Sequence, residues 1–476
     1  MILRSVANDR PASRPIVTGP ITGGKGRPNL VTTSFDLGAL GYERTEYFIS
    51  GIATAFSSAQ PLTPDGRWTV EPEDSDGYET RIVVVRPSDP AEFNGTVFVE
   101  WLNVTAGFDS SPGWILAHNE ILRRGAAWIG VSAQAVGISG DAPAVGGVPQ
   151  GGLTAADPER YGPLQHPGDS YSYDIFSQAG LAVRGSERSD PLGGGEVTGV
   201  IALGESQSAF RMVTYINAIH PMANVFDGFL VHSRATDAAP LLSAPFPGIT
   251  VPDATVIRSD LGVPVLSFQT ETDLRLGHFP PRQADTDRFC LWEVAGTAHA
   301  DSYTGGLGFR DTGDGRAEAR LLDVASAGGG PLGCTEPINA GPQYAVLNAA
   351  LFHLDRWVRD GTLPPRAPRL DLEPGLPATI KRDEHGNALG GIRTPLVDAP
   401  NATLRGDGNA GGPLCRLFGR TIAFDAATMA SLYADHDDYV AKFRAATDRA
   451  VKAGFLLAPE AENLTAAAEQ SRRVDR

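Results

Sequence analysis

The sequence predicts an α/β protein in which a mostly parallel central sheet is flanked by helices. Short, fully apolar segments rich in β-branched residues recur along the chain, and segments with helical apolar spacing separate them. Strands that are apolar on both faces are typical of a parallel sheet covered by helices on each side. In the first third, strand-like segments follow one another with only turns between them. We therefore expect a mixed sheet that begins antiparallel.

The antiparallel start is predicted from three segments rich in β-branched and aromatic residues. Gly, Pro and Asp, which favour turns, bound each of them. The three segments are EYFISGIATAF (46–56), YETRIVVVRP (78–87) and GTVFVEWLN (95–103).

From residue 111, predicted helices and strands alternate, as in proteins with parallel sheets. A first helix over 111–125 ends at a glycine, a common helix stop, and further helices are predicted over 171–185 and 344–361. The apolar strands that accompany them are 126–133, 197–204, 226–233, 263–270 and 288–296.

Two stretches are too long to be simple connections. Residues 135–170 and 234–262 are rich in Gly and Pro, and in this architecture they are expected to be lid insertions above the strand ends. After residue 361, a hairpin around His385 and an alanine-rich helical region from 424 form an accessory extension, 362–476. No linker composition precedes this extension, so we expect it to pack on the core.

The charge balance limits the classes of partner. Among 476 residues, 40 are Lys or Arg and 56 are Asp or Glu, which gives a formal net charge of −16 and a pI near 5.0. Nucleic acids and anionic membranes attract basic surfaces, so neither is expected as a partner. We expect a small-molecule substrate, and the sequence leaves the oligomeric state open.

Leader and cysteine patterns bear on the cellular compartment. The start, MILRSVANDRPASRP, lacks a continuous apolar segment and a small-residue cleavage site, so we expect no signal peptide and a cytoplasmic location. Cys290, Cys334 and Cys415 are too few for a disulfide framework and lack metal-type spacing. Cys334 and Cys415 could pair in an oxidising compartment, but the expectation is buried free thiols.

The segment VIALGESQSAF (200–210) points to nucleophilic chemistry. Ser206 follows an apolar strand and has small neighbours: Gly204 before it, Ser208 and Ala209 after it. A nucleophile on a strand–turn–helix elbow needs small neighbours, because the strained turn brings strand and helix close together. The usual elbow is G-x-S-x-G, and Ser208 departs from it. By itself the segment is equally compatible with an ordinary buried strand–helix junction.

An elbow serine would lie at the N-terminus of the next helix, where free backbone N–H groups can bind a developing oxyanion. The Gln207 N–H is therefore predicted as one donor. The second donor is expected in the loop after the strand TVFVEW, with Leu102, Asn103 and Val104 as candidates. Asn103 is equally well explained as a turn residue.

A serine hydroxyl needs a base, and His299 is the best placed of nine histidines. In RFCLWEVAGTAHAD a strand and a glycine precede the loop that carries it. His232 and His278 lie near strand ends and remain alternatives.

The acid that orients the imidazole is expected after the strand in VPVLSFQTETDLRLG. Asp273 is favoured by its spacing from the strand, Glu271 is the alternative, and Asp301 is a remote third option. The order Ser206, Asp273, His299 is that of an α/β-hydrolase triad.

Other chemistries lack their signatures. The histidines show no H-x-x-x-H or H-E-x-x-H spacing, so no metal site is predicted. No G-x-G-x-x-G follows a strand and no Walker loop occurs, so no cofactor is expected.

Several segments resemble a largely uncharacterised bacterial family of α/β-hydrolase domain proteins. They are EWLNV, AWIGVSAQ, GESQSAFR, FDGFLVHSR, TETD, EVAGTAHAD, GNALGGIRTP and GFLLAPEAENL. The resemblance runs from about residue 17 to 465, so it implies a hydrolase core over 17–361 with the extension as a family feature. It also implies a G-x-S-x-S elbow, and a triad of Ser206, His299 and an acid within TETD.

The expected function is a serine hydrolase that cleaves carboxylic esters through an acyl-enzyme. The same triad could transfer the acyl group to another acceptor or cleave amides, and the sequence does not describe the pocket that decides. A binding protein on a hydrolase scaffold is the alternative of another class. The intact Ser, acid and His argue against it.

Overall fold

The computed structural model describes residues 13–471, except 141–150, 186–188, 276–281, 324–332 and 376–378. His278 and the middle of the predicted insertion 135–170 lie outside the described residues.

Nine strands form the central sheet. In chain order they are β1 Ile16–Thr18, β2 Tyr42–Ser57, β3 Glu71–Pro87, β4 Thr96–Trp101, β5 Ala127–Val131, β6 Gly199–Glu205, β7 Gly228–His232, β8 Val265–Thr270 and β9 Phe289–Val294. In the described residues, two small antiparallel pairs of strands lie outside it: β10 Leu372–Glu373 with β11 Thr379–Ile380, and β12 Ala402–Arg405 with β13 Arg420–Ala423.

Helices separate and cover the strands. They are α1 Pro112–Arg123, α2 Ala135–Ser139, α3 Gly152–Ala156, α4 Pro158–Tyr161, α5 Ser172–Ala182, α6 Gln207–Thr214, α7 His220–Ala223, α8 Arg316–Leu322, α9 Gln343–Asp360, α10 Pro395–Asp398, α11 Ala426–Leu432, α12 His436–Lys452 and α13 Ala458–Gln470. Within the described ranges, no helix has the length and apolar character that crossing a membrane requires.

The sheet is antiparallel at one side and parallel over the rest, as predicted. Its strand order is β1-β2-β3-β5-β4-β6-β7-β8-β9. The pairs β1–β2, β2–β3 and β3–β5 are antiparallel, whereas every pair from β5–β4 to β8–β9 is parallel. The carboxyl ends of β4 to β9 therefore lie along one edge of the sheet.

Apolar side chains fill both faces of the sheet, which explains why its strands are apolar throughout. One buried cluster includes Trp114 of α1 and Leu351 of α9, and the other includes Phe176 of α5 and Met212 of α6. Truncating a core side chain such as Leu351 to Ala costs about 2–5 kcal/mol, because a cavity adds to the lost burial.

The prediction missed elements whose sequence carries no apolar signal. β3 begins at Glu71, seven residues before the predicted segment, because its polar first half pairs with the end of β2 and is exposed. The short strands β12 and β13 were likewise not predicted. Each has four residues, and three of the four in β13 are not buried.

The two insertions differ in structure. The described part of 135–170 contains α2, α3 and α4, whereas 234–262 contains no helix or strand. Backbone bonds attach the second insertion to the rest: Val256 N–H donates to Pro64 O, and Ala239 N–H donates to Phe210 O. Whether either insertion works as a lid stays a prediction.

Two helices of the predicted extension 362–476 pack against helices that cover the central sheet. Phe443 of α12 and Leu464 of α13 belong to the same buried cluster as Trp114 and Leu351. The predicted turn around His385 is present, with Asp383 N–H donating to Asn387 O.

The expectation of free thiols at Cys334 and Cys415 is wrong, because these residues form a disulfide. Eighty-one positions separate them in the sequence, so their spacing gave no indication that they meet. An isolated bridge between Cys334 and Gly411 brings the two segments together. Cys290 is a buried free cysteine, as expected.

We expect denatured, unreduced protein to show one titratable thiol, and reduced protein to show three, when a thiol reagent is added. Replacing Cys334 and Cys415 together by Ala should lower the free energy of unfolding by about 2–5 kcal/mol, because the unfolded chain gains freedom. Three thiols before reduction would contradict the assigned pair.

Candidate functional site

The predicted catalytic residues lie at the carboxyl edge of the parallel strands. Ser206 directly follows β6, Asp273 follows β8 by three residues, and His299 follows β9 by five. β7 lies between β6 and β8, and β9 is beside β8, so three separate loops converge at one edge. The site thus results from the parallel arrangement itself.

Ser206 occupies a strained turn. Its φ is 58° and its ψ is −121°, a conformation that costs a non-glycine residue roughly 1–3 kcal/mol. Its N–H donates to His232 O at 3.0 Å, which holds the turn against β7. A Cβ on Gly204 would lie 2.7 Å from Ser208 O, so only glycine fits where the strand meets the helix. The predicted need for small neighbours is therefore explained by the close approach of β6 to the start of α6 at Gly204.

A continuous chain of hydrogen bonds joins the three predicted residues. His299 Nδ1 lies 2.7 Å from Asp273 Oδ1, and His299 Nε2 lies 2.7 Å from Ser206 Oγ. With an ionised Asp273 accepting from Nδ1–H, Nε2 is left to accept the serine proton. This arrangement is suited to removing a proton from Ser206.

Asp273, and not Glu271, is the acid in contact with His299. Its second oxygen accepts hydrogen bonds from Thr270 N–H and Thr270 Oγ1 at 2.7 and 2.8 Å. Burial opposes ionisation, but the hydrogen bond and charge of His299, together with Thr270, hold the pKa of Asp273 below its usual value. Asp273 is therefore ionised at neutral pH.

Glu271 has a different set of partners. It accepts from Gly296 N–H and Gly406 N–H and pairs with Arg382 at 2.9 Å. Burial raises its pKa despite the Arg382 charge. Glu271 thus fastens the loop after β8 to the segments around residues 296 and 406.

The loop that carries His299 is held from both sides. The His299 N–H donates to Thr272 Oγ1 at 3.0 Å, and the Ala300 N–H donates to Leu417 O. Burial alone would lower the pKa of His299, but Asp273 and the charge of Glu205 outweigh it and raise the pKa to about 9. After Asp273, Glu205 is the second acid that raises the pKa of His299.

The predicted oxyanion donors differ in whether their backbone N–H groups already have an acceptor. Gln207 begins α6, so its N–H has no partner within the helix. The Leu102 N–H donates to Val131 O, and the Asn103 N–H donates to Ser110 O. Among the described residues, no acceptor is found for the Val104 N–H. Of the three loop candidates, Val104 thus retains a free backbone donor.

The Asn103 side chain binds Glu205, an acid that is not among the predicted site residues. Its Nδ2 lies 3.2 Å from both Glu205 O and Glu205 Oε2. Glu205 Oε1 in turn is 3.6 Å from His299 Nε2. A signal was available, because Glu205 is a charged residue directly before Ser206 at the end of an otherwise apolar strand.

Of the remaining alternatives, His232 and Asp301 lie in the described part of the chain, and neither forms a hydrogen bond with Ser206 Oγ there. His232 is buried, its Nε2 contacts Gln343 at 3.0 Å, and burial lowers its pKa to about 3. Asp301 hydrogen-bonds with Thr304 instead of His299, and burial raises its pKa to about 6. In the described part of the chain, no three His, Cys, Asp or Glu side chains are grouped to hold a metal ion.

Comparisons with known proteins give the family. No curated protein matches the sequence. Solved structures that are similar in part include a fungal esterase from Rhizomucor miehei (13% identity, TM-score 0.30, 65% of this chain and 84% of that one). A glucuronoyl esterase from Solibacter usitatus (13%, 0.27, 53% and 70%) and a thermostable esterase from Pseudomonas putida ECU1011 (15%, 0.27, 50% and 66%) are similar too. The family model described as "Alpha/beta hydrolase domain" matches residues 17–466, so the chain belongs to the alpha/beta hydrolase domain family.

Proposed function

We propose that the protein is a serine hydrolase that cleaves carboxylic esters through an acyl-enzyme. The observation that carries the proposal is the Asp273–His299–Ser206 chain, with 2.7 Å at each of its two hydrogen bonds. Ser206 also stands at the N-terminus of α6, where the helix dipole and the Gln207 N–H favour negative charge.

In the first half-reaction, Ser206 Oγ attacks the ester carbonyl while its proton passes to His299 Nε2. The negative charge that develops on the carbonyl oxygen is bound by the Gln207 N–H and by a donor of the loop after β4, which we assign to the Val104 N–H. Asp273 stabilises the imidazolium through Nδ1–H. Collapse of the intermediate breaks the bond to the alcohol oxygen, which takes the proton from Nε2.

In the second half-reaction, a water molecule replaces the alcohol. His299 Nε2 accepts a proton from that water as its oxygen attacks the acyl-enzyme carbonyl. The same donors bind the new oxyanion, and the proton then returns to Ser206 Oγ as the carboxylic acid leaves. The enzyme is regenerated without any cofactor.

Transfer to an alcohol and cleavage of an amide would use the same residues. Adding an acceptor alcohol during turnover of a p-nitrophenyl ester distinguishes transfer, which forms a new ester, from hydrolysis, which forms only the acid. A panel of matched esters and amides separates esterase from amidase. A binding scaffold without catalysis would turn over none of them.

Ser206→Ala should abolish both ester turnover and covalent labelling by a fluorophosphonate, because the attacking oxygen is lost. Labelling followed by peptide mass spectrometry measures this directly. Ser208→Ala is the matched control, since Ser208 lies two residues away and its hydroxyl donates to Leu102 O at 3.3 Å; the variant should still be labelled at Ser206. Turnover that survives Ser206→Ala would refute the proposed nucleophile.

Asp273→Asn should lower kcat by about 10⁴-fold, because a neutral amide cannot stabilise the imidazolium or fix its tautomer. Glu271→Gln keeps the His299 contacts and removes one charge opposite Arg382. We therefore expect it to lower the free energy of unfolding much more than kcat. Steady-state kinetics and denaturant unfolding of both variants provide the comparison, and equal small losses in kcat would contradict the assignment of Asp273.

A further inference from the structure

Glu205 is a buried acid beside the predicted base that the triad does not use. It is the last residue of β6 and is 7% exposed, and its Oε1 lies 3.6 Å from His299 Nε2. Nε2 is the nitrogen that faces Ser206, so Glu205 approaches the imidazole on the side opposite Asp273. The two carboxylates therefore bracket one ring.

Few groups hold the Glu205 carboxylate. Asn103 Nδ2 donates to Oε2, and no arginine or lysine forms an ion pair with Glu205 among the described residues. Burial raises the pKa of Glu205 to about 7; the charge of His299 and the Asn103 hydrogen bond lower this pKa, and the negative charge of Asp273 raises it. By contrast, the buried acids Glu46 and Glu271 are each paired with an arginine.

The other charged and titratable groups around the imidazole either contact its opposite nitrogen, are neutral, or have partners of their own. Asp273 contacts Nδ1 from the loop after β8, and His232 of β7 is buried and neutral. Glu100 of β4 interacts electrostatically with Glu205, but its oxygens accept from Gly113 N–H, Trp114 N–H and Trp128 Nε1. Glu205 is thus the second acid that interacts directly with His299.

We propose that Glu205 is a positioning residue for the reaction, which stabilises the protonated His299 from the Nε2 side, and that Asn103 holds its carboxylate in place. The proposal rests on the function proposed above, because it assigns His299 the role of base. Asn103, predicted from the sequence as an oxyanion donor, acts in this scheme through Glu205.

The effect of Glu205 on the reaction follows from its position beside Nε2, the nitrogen that receives the serine proton. When Ser206 attacks, its proton arrives on Nε2, and the imidazolium then lies between two negative charges, which favours its formation. The same charges keep His299 protonated in the resting enzyme until alkaline pH. A protonated imidazole cannot accept the serine proton, so activity should fall as the pH falls below the pKa of His299.

The test is the pH dependence of the inactivation rate with a fluorophosphonate, measured for wild type and Glu205→Gln. Inactivation needs Ser206 and a neutral His299 but no alcohol leaving group from a substrate, so its acid limb follows His299. Glu205→Gln keeps an oxygen for Asn103 and removes the charge. We expect the acid limb to move to lower pH by about one unit, so that the ratio of variant to wild-type rate rises as the pH falls.

Glu271→Gln is the control for loss of a buried carboxylate from the same sheet edge, and its acid limb should stay at the wild-type pH. Asn103→Ala provides a second variant should Glu205→Gln fail to fold. Removing the Asn103 donor favours the protonated form of Glu205, so the limb should move in the same direction by a smaller amount.

An acid limb that does not move in a folded Glu205→Gln or Asn103→Ala protein would overturn the role of Glu205, even when labelling at Ser206 is normal. Loss of rate with an unchanged limb would also overturn it, because that is the result of a purely structural role. If Ser206 itself is not labelled in wild type, the proposed function fails instead.

Discussion

The contact between Asp273 and His299 is the interaction on which the rest of the site depends. It fixes which nitrogen of the ring carries the proton and therefore which one faces Ser206. Such a contact forms only where the loops after β8 and β9 meet, and both strands are neighbours in the parallel part of the sheet. The sheet brings the loops together, and short polar contacts such as those of Thr270 and Thr272 set the final geometry.

The C-terminal extension takes part in that geometry. Leu417 O accepts from the residue after His299, and Gly406 bonds both Thr272 Oγ1 and Glu271 Oε2. Hydrogen bonds thus connect the loops after β8 and β9, which carry Asp273 and His299, with residues of the segment 362–476. Because the Cys334–Cys415 disulfide anchors the short turn that presents Leu417, this network of hydrogen bonds is covalently fastened as well. The extension is part of the structure that supports the site.

Much of this site could be predicted from the sequence, because each candidate residue follows an apolar strand. That pattern predicts Ser206, Asp273 and His299, and the structure brings all three within hydrogen-bonding distance. The Asn103–Glu205 contact and the disulfide could not be predicted, because they join segments whose distance in space has no local signal. Spacing alone favoured Asp273 only weakly over Glu271. The difference arises from partners at residues 296, 382 and 406, far along the chain.

The buried acids around the site differ in what they do for the fold. Glu100 accepts two N–H groups at the start of α1 and the Trp128 indole, so removing it would leave buried donors without a partner. Glu205 satisfies one side-chain amide, and among the described residues it forms an ion pair only with a protonated His299. A buried carboxylate with so few partners destabilises the folded state unless the imidazole is charged. The charge of Glu205 is therefore compensated only while His299 is protonated, which is its state up to alkaline pH and again, in the proposed reaction, when it holds the serine proton.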